Sequence, residues 1–379
     1  MQKLRIITIS STLLLGLFTL LLHKFPNCRI SAQVIFFSQE MALSDHFRLN
    51  TGAQIPGVGL GTWKSAPGEV RSAVAFALRD GYRHIDAALT FESANHCLRI
   101  YGVSALASLR SKENFLLILG KATKVKSAKA SGTAVSRLWN THHPNVQEGL
   151  QQSLDALGVD YLDLYPGAAA FSKVRPDSNI DALNETHPLL PTNPDGSRAV
   201  DRSWDMSKTW LQMEEVYKTG KARAIGVANW SVPYLEALSK SWNIVPAVNQ
   251  VELHPFLPQH ELKRWCKEKG ILLEAYSPLG SSGAPLQSDP AIQALATKYS
   301  VQPATILISY HVNRGVVVLP KSVTEARITQ NRHVIKFEEE DLVMLDSLAS
   351  QEGKAKRLNT PLWGFDLGFD DWYGPVTRQ

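Results

Sequence analysis

Residues 221–281 read KARAIGVANWSVPYLEALSKSWNIVPAVNQVELHPFLPQHELKRWCKEKGILLEAYSPLGS. Three short apolar, β-rich runs stand in this stretch: Ala222–Asn229, Pro246–Leu253 and Ile271–Ser277. Between them lie two segments with helical patterning, Val232–Ser239 and Gln259–Lys269. A strand that is apolar on both faces is buried on both sides, and a helix between two such strands makes them parallel. The alternation runs on in both directions. Val58–Thr62, His84–Ala88, Leu162–Tyr165 and Val316–Lys321 read as further strands. Gly68–Arg79, Asn145–Leu157, Trp204–Thr219, Asp289–Lys298 and Thr324–Asn331 read as further helices. Ala134–Trp139 supplies an eighth strand. Eight repeats of this size fit an α/β fold closed as a (β/α)8 TIM barrel better than an open sheet. No G-x-G-x-x-G follows the first strand, which leaves a Rossmann domain with little support. Ahead of the barrel, Phe47–Pro56 has the pattern of a hairpin, with Asn50-Thr51-Gly52 at its turn, placed to plug the barrel bottom.

The whole chain has 379 residues, 44% hydrophobic and 20% charged, with 24 Gly and 20 Pro, which excludes disordered, collagen-like and disulfide-scaffold classes. Its three cysteines, Cys28, Cys97 and Cys266, are too few and too far apart for a zinc cluster or a disulfide framework, so no metal is expected. The net charge of +5 is spread along the chain, a poor footprint for nucleic acid. Lys121, Lys124, Lys126 and Lys129 form a basic run with no interleaved aromatic residues, and it reads as a solvated face or as translated intron. Phe337–Asp346 reads as an amphipathic helix.

Residues 1–40 differ from the rest. Lys3 and Arg5 precede an apolar run, Ile6–Leu22, closed by His23, Lys24 and Pro26. As a helix it would be roughly 25 Å long, at the short edge of a membrane span. Basic residues ahead of it and Ser31-Ala32 behind it also fit a signal peptide. The segment is either a signal or anchor, or an upstream extension outside the working protein. From Met41 (MALSDHFRLNTG) the chain reads as soluble. A cytoplasmic location is expected, with a membrane-anchored or secretory one as the alternative.

In a barrel of this kind chemistry sits at the C-terminal ends of the strands. The residues there are Thr62-Trp63, Asp86, Trp139-Asn140, Asn229, Gln250, Tyr276-Ser277 and Lys321-Ser322. A buried Asp at a strand end is an ion-pair partner or an active-site group. With GAQIPGVGLGTW, GYRHIDAAL, LWNTHHPNVQEGLQQSLDALGVDYLDLY, GKARAIGVANWS, PAVNQVELHPFLPQ, ILLEAYSPLGS and VVVLPKSVTEARITQN in order, the chain resembles the aldo-keto reductase family, particularly its fungal glycerol dehydrogenase and aldose reductase-like members. The likeness covers nearly all of Met41–Gln379.

The resemblance implies a nicotinamide coenzyme. Asn229 and Gln250 would hold its carboxamide and the Tyr276 ring would stack on the nicotinamide. Ser277, Leu279 and Ser281 would line the pyrophosphate. Lys321, Ser322, Thr324 and Arg327 match the family's clamp for an adenosine 2′-phosphate, which argues for NADP(H). Gln330 stands where the family often has Glu, with Asn331 beside it. Trp63 and Trp139 would wall the substrate pocket, and Leu358–Tyr373 would fold over the barrel mouth. The family also implies a monomer acting on a small carbonyl or alcohol.

The proton-delivery residues match less well. The family uses a Tyr to give the proton, a Lys paired to an Asp to lower the Tyr pKa, and a His to orient the substrate. Asp86 is present. The Tyr position holds Phe91, the Lys position holds Arg137, and PGAAAF follows Asp163-Leu164-Tyr165 where the His belongs. Ile100-Tyr101-Gly102 looks like the family's Tyr segment pushed downstream by TFESANHCLR, and a second foreign piece begins at Val103. The departures fall in two blocks with clean edges, insertions within residues 90–136 and a short deletion within residues 166–176, the pattern of misassigned introns. Tyr101 and Arg137 are therefore the candidates beside Asp86. Two readings follow: an NADP(H)-dependent reductase of aldehydes and ketones of small sugar or glycerol type, and a catalytically impaired barrel that binds NADPH as a redox-responsive partner or relic.

Overall fold

The computed structural model describes residues 46–63, 65, 67–87, 133–136, 145–157, 160–166, 204–359 and 367–372. The extension 1–40 lies outside them. Among the described residues no helix is long and apolar enough to cross a membrane.

The hairpin forms as its sequence predicts. Strands β1 (His46–Arg48) and β2 (Gln54–Pro56) pair antiparallel with Phe47 opposite Ile55, and the turn closes through Gly52 at φ 87°. A residue with a Cβ is strained at that angle. Asn50 Nδ2 donates to the carbonyls of Val245 and Pro246, just ahead of a barrel strand, so the hairpin sits at the N-terminal ends of the strands. Leu49 and Ile55 join Leu164, Ala224, Val248, Val317 and Leu319 in a small apolar cluster there. That is the expected plug.

Among the described residues eight parallel strands follow: β3 (Leu60–Gly61), β4 (His84–Ala87), β5 (Thr133–Ser136), β6 (Tyr165–Pro166), β7 (Ile225–Ala228), β8 (Val248–Glu252), β9 (Leu272–Tyr276) and β10 (Val317–Leu319). The ladders run β3-β4-β5 and β6-β7-β8-β9-β10. Parallel bridges Val58 to Val318 and Gly61 to Lys321 join the last strand to the first and close the barrel. The strand read at Ala134–Trp139 is observed as β5, beginning one residue earlier. Gly226 is required on β7, because a Cβ there would stand 2.5 Å from Val248 Cγ2 on the neighbouring strand.

The helices pack outside, where the larger apolar cluster lies between them and the strands. They are α1 (Pro67–Arg79), α2 (Val146–Leu157), α3 (Met206–Lys218), α4 (Val232–Ser239), α5 (His260–Glu268), α6 (Pro290–Lys298), α7 (Pro303–Asn313), α8 (Glu325–Asn331) and α9 (Glu339–Ser347). Local chemistry sets their starts. Asp205 and Asp289 accept from the backbone N–H two residues on, each at 2.9 Å, and Pro290 opens α6 where no N–H is needed. Helix α7 has no counterpart among the segments read from the sequence. Residues 305–312 of it are all buried, so it shows no polar face and periodicity does not mark it.

The C-terminal stretch is described at Leu358, Asn359 and 367–372. Arg357 anchors it through a two-pronged pair with Asp371, both distances 2.9 Å, while its guanidinium lies over the Phe369 and Trp372 rings. Gly368 packs against Ser231 and Tyr234 at the start of α4, and so lies by the C-terminal end of β7. This end of the tail reaches the rim of the mouth, as expected.

Candidate active site

Because the strands are parallel, their C-terminal ends open on one face, and the chain brings Thr62, Asp86, Asn229, Gln250, Tyr276, Ser277, Lys321 and Ser322 to it. On the first two strands Thr62 Oγ1 donates to the Asp86 carbonyl at 2.9 Å, and Asp86 itself is buried. Trp63 follows at the end of β3, half-buried. Tyr101, Arg137 and Trp139 lie outside the described residues, as do Phe91, His142 and His143.

The other half of the mouth is described continuously. Asn229 leaves β7 in a left-handed conformation, φ 59°, which Asn tolerates better than most residues. Its N–H donates to the Gln250 carbonyl at 2.9 Å, and its Oδ1 accepts from the Tyr276 hydroxyl at 2.9 Å. Gln250 is fully buried; its Nε2 donates to Glu274 Oε2 at 3.2 Å, and its Oε1 has no hydrogen-bond partner. Beneath them His84 Nε2 faces Glu274 Oε1 at 3.7 Å, both residues wholly buried. Burial pushes the His84 imidazole down to about 4, against the partial opposition of Asp86 and the Pro56 carbonyl, so the ring is neutral at pH 7.

After β9 the chain turns repeatedly through positive φ, at Ser277 (53°), Gly280 (93°), Ser281 (68°), Gly283 (80°) and Ala284 (47°). Turns of this kind gather backbone N–H groups into anion-binding concavities. Ser277, Leu279 and Ser281 are half-buried in this loop, and Ser281 Oγ donates to Asn359 Oδ1 at 2.8 Å. At the end of β10, Ser322 Oγ accepts from the Thr324 N–H at 3.1 Å. Lys321, Thr324 and Arg327 are exposed, Gln330 is half-buried and Asn331 is buried. Neither Lys321 nor Arg327 has an acidic partner among the described residues. Two unneutralised cations beside two hydroxyls fit a phosphate monoester, and the orphaned Gln250 oxygen fits a carboxamide N–H. The residues present therefore suit a phosphorylated nicotinamide dinucleotide.

Several buried polar groups at the mouth are absent from the sequence reading. Glu252, wholly buried at the end of β8, accepts from the N–H groups of Leu358 (2.6 Å) and Asn359 (2.9 Å) and pairs with His254 Nε2 at 3.1 Å. It fixes the start of the C-terminal tail and, through Asn359, touches the Ser281 loop. Glu274 and His84 form a second group deeper in the barrel, where His84 opens β4 and faces the Pro56 carbonyl. The signal for both carboxylates is a charge set within a fully or largely buried barrel strand, VNQVE and LLEAY.

The profile of the Aldo/keto reductase family matches residues 57–350. A D-galacturonate reductase of Hypocrea jecorina is 40% identical over 332 residues, 86% of this chain and 98% of that protein. The glycerol 2-dehydrogenase (NADP(+)) of Saccharomyces cerevisiae is 42% identical over 323 residues, 83% and 94% of the two chains. Among solved structures, the aldose reductase from Schistosoma japonicum superposes with a TM-score of 0.70 at 29% identity, covering 87% of this chain and 98% of that one. With the closed barrel, the amide pair on β7 and β8 and the cationic end of β10 already in place, the chain belongs to the aldo/keto reductase family.

Proposed function

We propose that this protein is an NADP(H)-dependent oxidoreductase that reduces aldehyde and ketone groups of small sugar- or glycerol-type compounds to alcohols, with residues 41–379 as the working barrel. The observation that carries the reading is the pair of unneutralised cations, Lys321 and Arg327, beside the hydroxyls of Ser322 and Thr324. A 2′-phosphate satisfies all four groups, whereas NAD lacks it. When bound, the coenzyme supplies the hydride. Asn229 and Gln250 grip its carboxamide, the Tyr276 ring covers the nicotinamide, and the loop of Ser277, Leu279 and Ser281 follows the pyrophosphate. Gln330 and Asn331 stand by the adenine end.

For proton delivery, Asp86 contributes a carboxylate, Arg137 the positive charge that favours ionisation of a phenol, and Tyr101 the proton for the carbonyl oxygen. Trp63 and Trp139 wall the substrate. The protein acts as a cytoplasmic monomer. The rival, a barrel that binds coenzyme without turnover, is not favoured: the relatives described above carry enzyme names.

A fluorescence titration with NADPH and NADH, run beside a glyceraldehyde reduction assay, tests the reading. NADPH is expected to bind at least roughly tenfold tighter than NADH, the value of one charge-assisted contact, and to be oxidised by glyceraldehyde. Equal affinity for the two coenzymes overturns the clamp, and tight binding without oxidation favours the rival.

A further inference from the structure

The two amides at the mouth are held in opposite senses by neighbours that restrict their choice. Gln250 and Glu274 stand directly across from one another on β8 and β9. A carboxylate accepts hydrogen bonds and does not donate them, so the NH2 end of the Gln250 amide must face it, as observed at 3.2 Å. The other carboxylate oxygen, Oε1, faces His84 Nε2 at 3.7 Å.

Gln250 Oε1 is thereby turned away from Glu274, and it is buried with no partner. A buried carbonyl oxygen without a donor is costly and marks a place where a ligand N–H belongs. On the adjoining strand the Tyr276 hydroxyl engages Asn229 Oδ1. Asn229 Nδ2 makes no hydrogen bond within the described residues. The mouth thus presents one fixed acceptor and one donor on neighbouring strands, joined by the backbone bond from Asn229 N–H to the Gln250 carbonyl. A primary carboxamide, with one C=O and one NH2, is their complement.

We propose that Glu274 is a positioning residue: acting through Gln250, it locks that amide so that an acceptor meets the amino group of the coenzyme's carboxamide. The proposal rests on the reading of Asn229 and Gln250 as the nicotinamide site. Its signature is discrimination between coenzyme analogues, which a merely structural role would not move.

The test measures dissociation constants of the full-length protein for NADP+, for its 3-acetylpyridine analogue, in which a methyl group replaces the amino group, and for 2′,5′-ADP, which lacks the nicotinamide. The wild type is expected to prefer NADP+ over the analogue by roughly tenfold, the worth of one buried hydrogen bond. In Glu274→Gln the neighbour donates as well as accepts, Gln250 turns either way, and the preference falls toward unity while 2′,5′-ADP binds as before. Glu274→Leu removes the lock altogether and gives the same result should the first variant not fold. An unchanged preference in the variants, no preference in the wild type, or an equal loss of affinity for all three ligands overturns the proposal. Failure of the wild type to bind either 2′,5′-ADP or NADP+ overturns the underlying reading instead.

Discussion

From Ile225 to Leu319 the strands and the loops that follow them are continuous in the structure, and their polar side chains hold one another. Tyr276 engages Asn229, Gln250 engages Glu274, and Glu252 gathers His254 and the backbone of Leu358 and Asn359. From Leu60 to Pro166 the described residues are mainly strands and two helices, with Thr62 tied to Asp86 on the neighbouring strand. The segments that follow β4, β5 and β6 lie outside the described residues. The residues proposed for the coenzyme thus belong to the arc that is described continuously, whereas of those proposed for proton delivery only Asp86 is among the described residues. In the first arc each site residue sits within a few positions of its strand, so sequence distance maps directly onto space. In the second, fifteen positions separate Asp86 from Tyr101, and the residues between Ala87 and Thr133 lie outside the described ones.

The largest expected effect comes from mending the second arc. Deleting residues 90–99 places Ile100 and Tyr101 directly after Leu89, in the family's spacing from Asp86. Glyceraldehyde reduction is expected to rise by up to about 10²–10⁴, the usual worth of a general acid, to the extent that residues 90–99 hold Tyr101 from its best position, and Tyr101→Phe in the shortened chain should remove the gain. A steady-state rate assay decides, and no rise would mean that the insertion is not what limits turnover.

A smaller effect probes the first arc. Arg327→Ala removes the fork-shaped cation from the phosphate end and should weaken NADPH binding by roughly ten- to a hundredfold. NADH binding should be left as it was. Equal weakening of both coenzymes, read by fluorescence titration, would separate Arg327 from the 2′-phosphate.

The smallest effect concerns His84, which stands on β4 and faces Glu274 on β9, and so joins the two arcs. An ordinary histidine titrates near 6.5, and His84 in the folded protein near about 4. Between those values the unfolded chain binds more protons. Stability should therefore fall as the pH falls through that window, by at most about 1.4 kcal/mol per pH unit from this residue. Burial holds His311 well below its ordinary value too, with Arg314 and His254 adding to the shift, so it acts in the same direction. Melting temperatures between pH 7 and 5 should show the decline, and His84→Asn should lessen its slope. An identical slope in the variant would mean that His84 is protonated in the folded state as readily as in the unfolded one.

The strands and most helices were legible because their signals are local. Apolar runs such as PAVNQVEL and amphipathic segments such as HELKRWCKE carry their own period. Helix α7 was not legible, because a helix buried on all sides has no polar face to count. Asn229, Tyr276 and Lys321 could be placed at the mouth since each closes or follows a strand, whereas Gln250 stands in the middle of β8. Glu274 and Glu252 carry a sequence signal only as charges within apolar runs, and their partners lie 24 and 106 residues away.

The order of the chain by itself determined the barrel, the hairpin at its base and which side chains end its strands, because periodicity and strand-end identity are properties of neighbouring residues. Tertiary structure alone decided which way the two mouth amides face and what holds the C-terminal tail. Those are hydrogen bonds between strands far apart in sequence, and an amide turns one way or the other only when a carboxylate or a phenol from another strand stands against it.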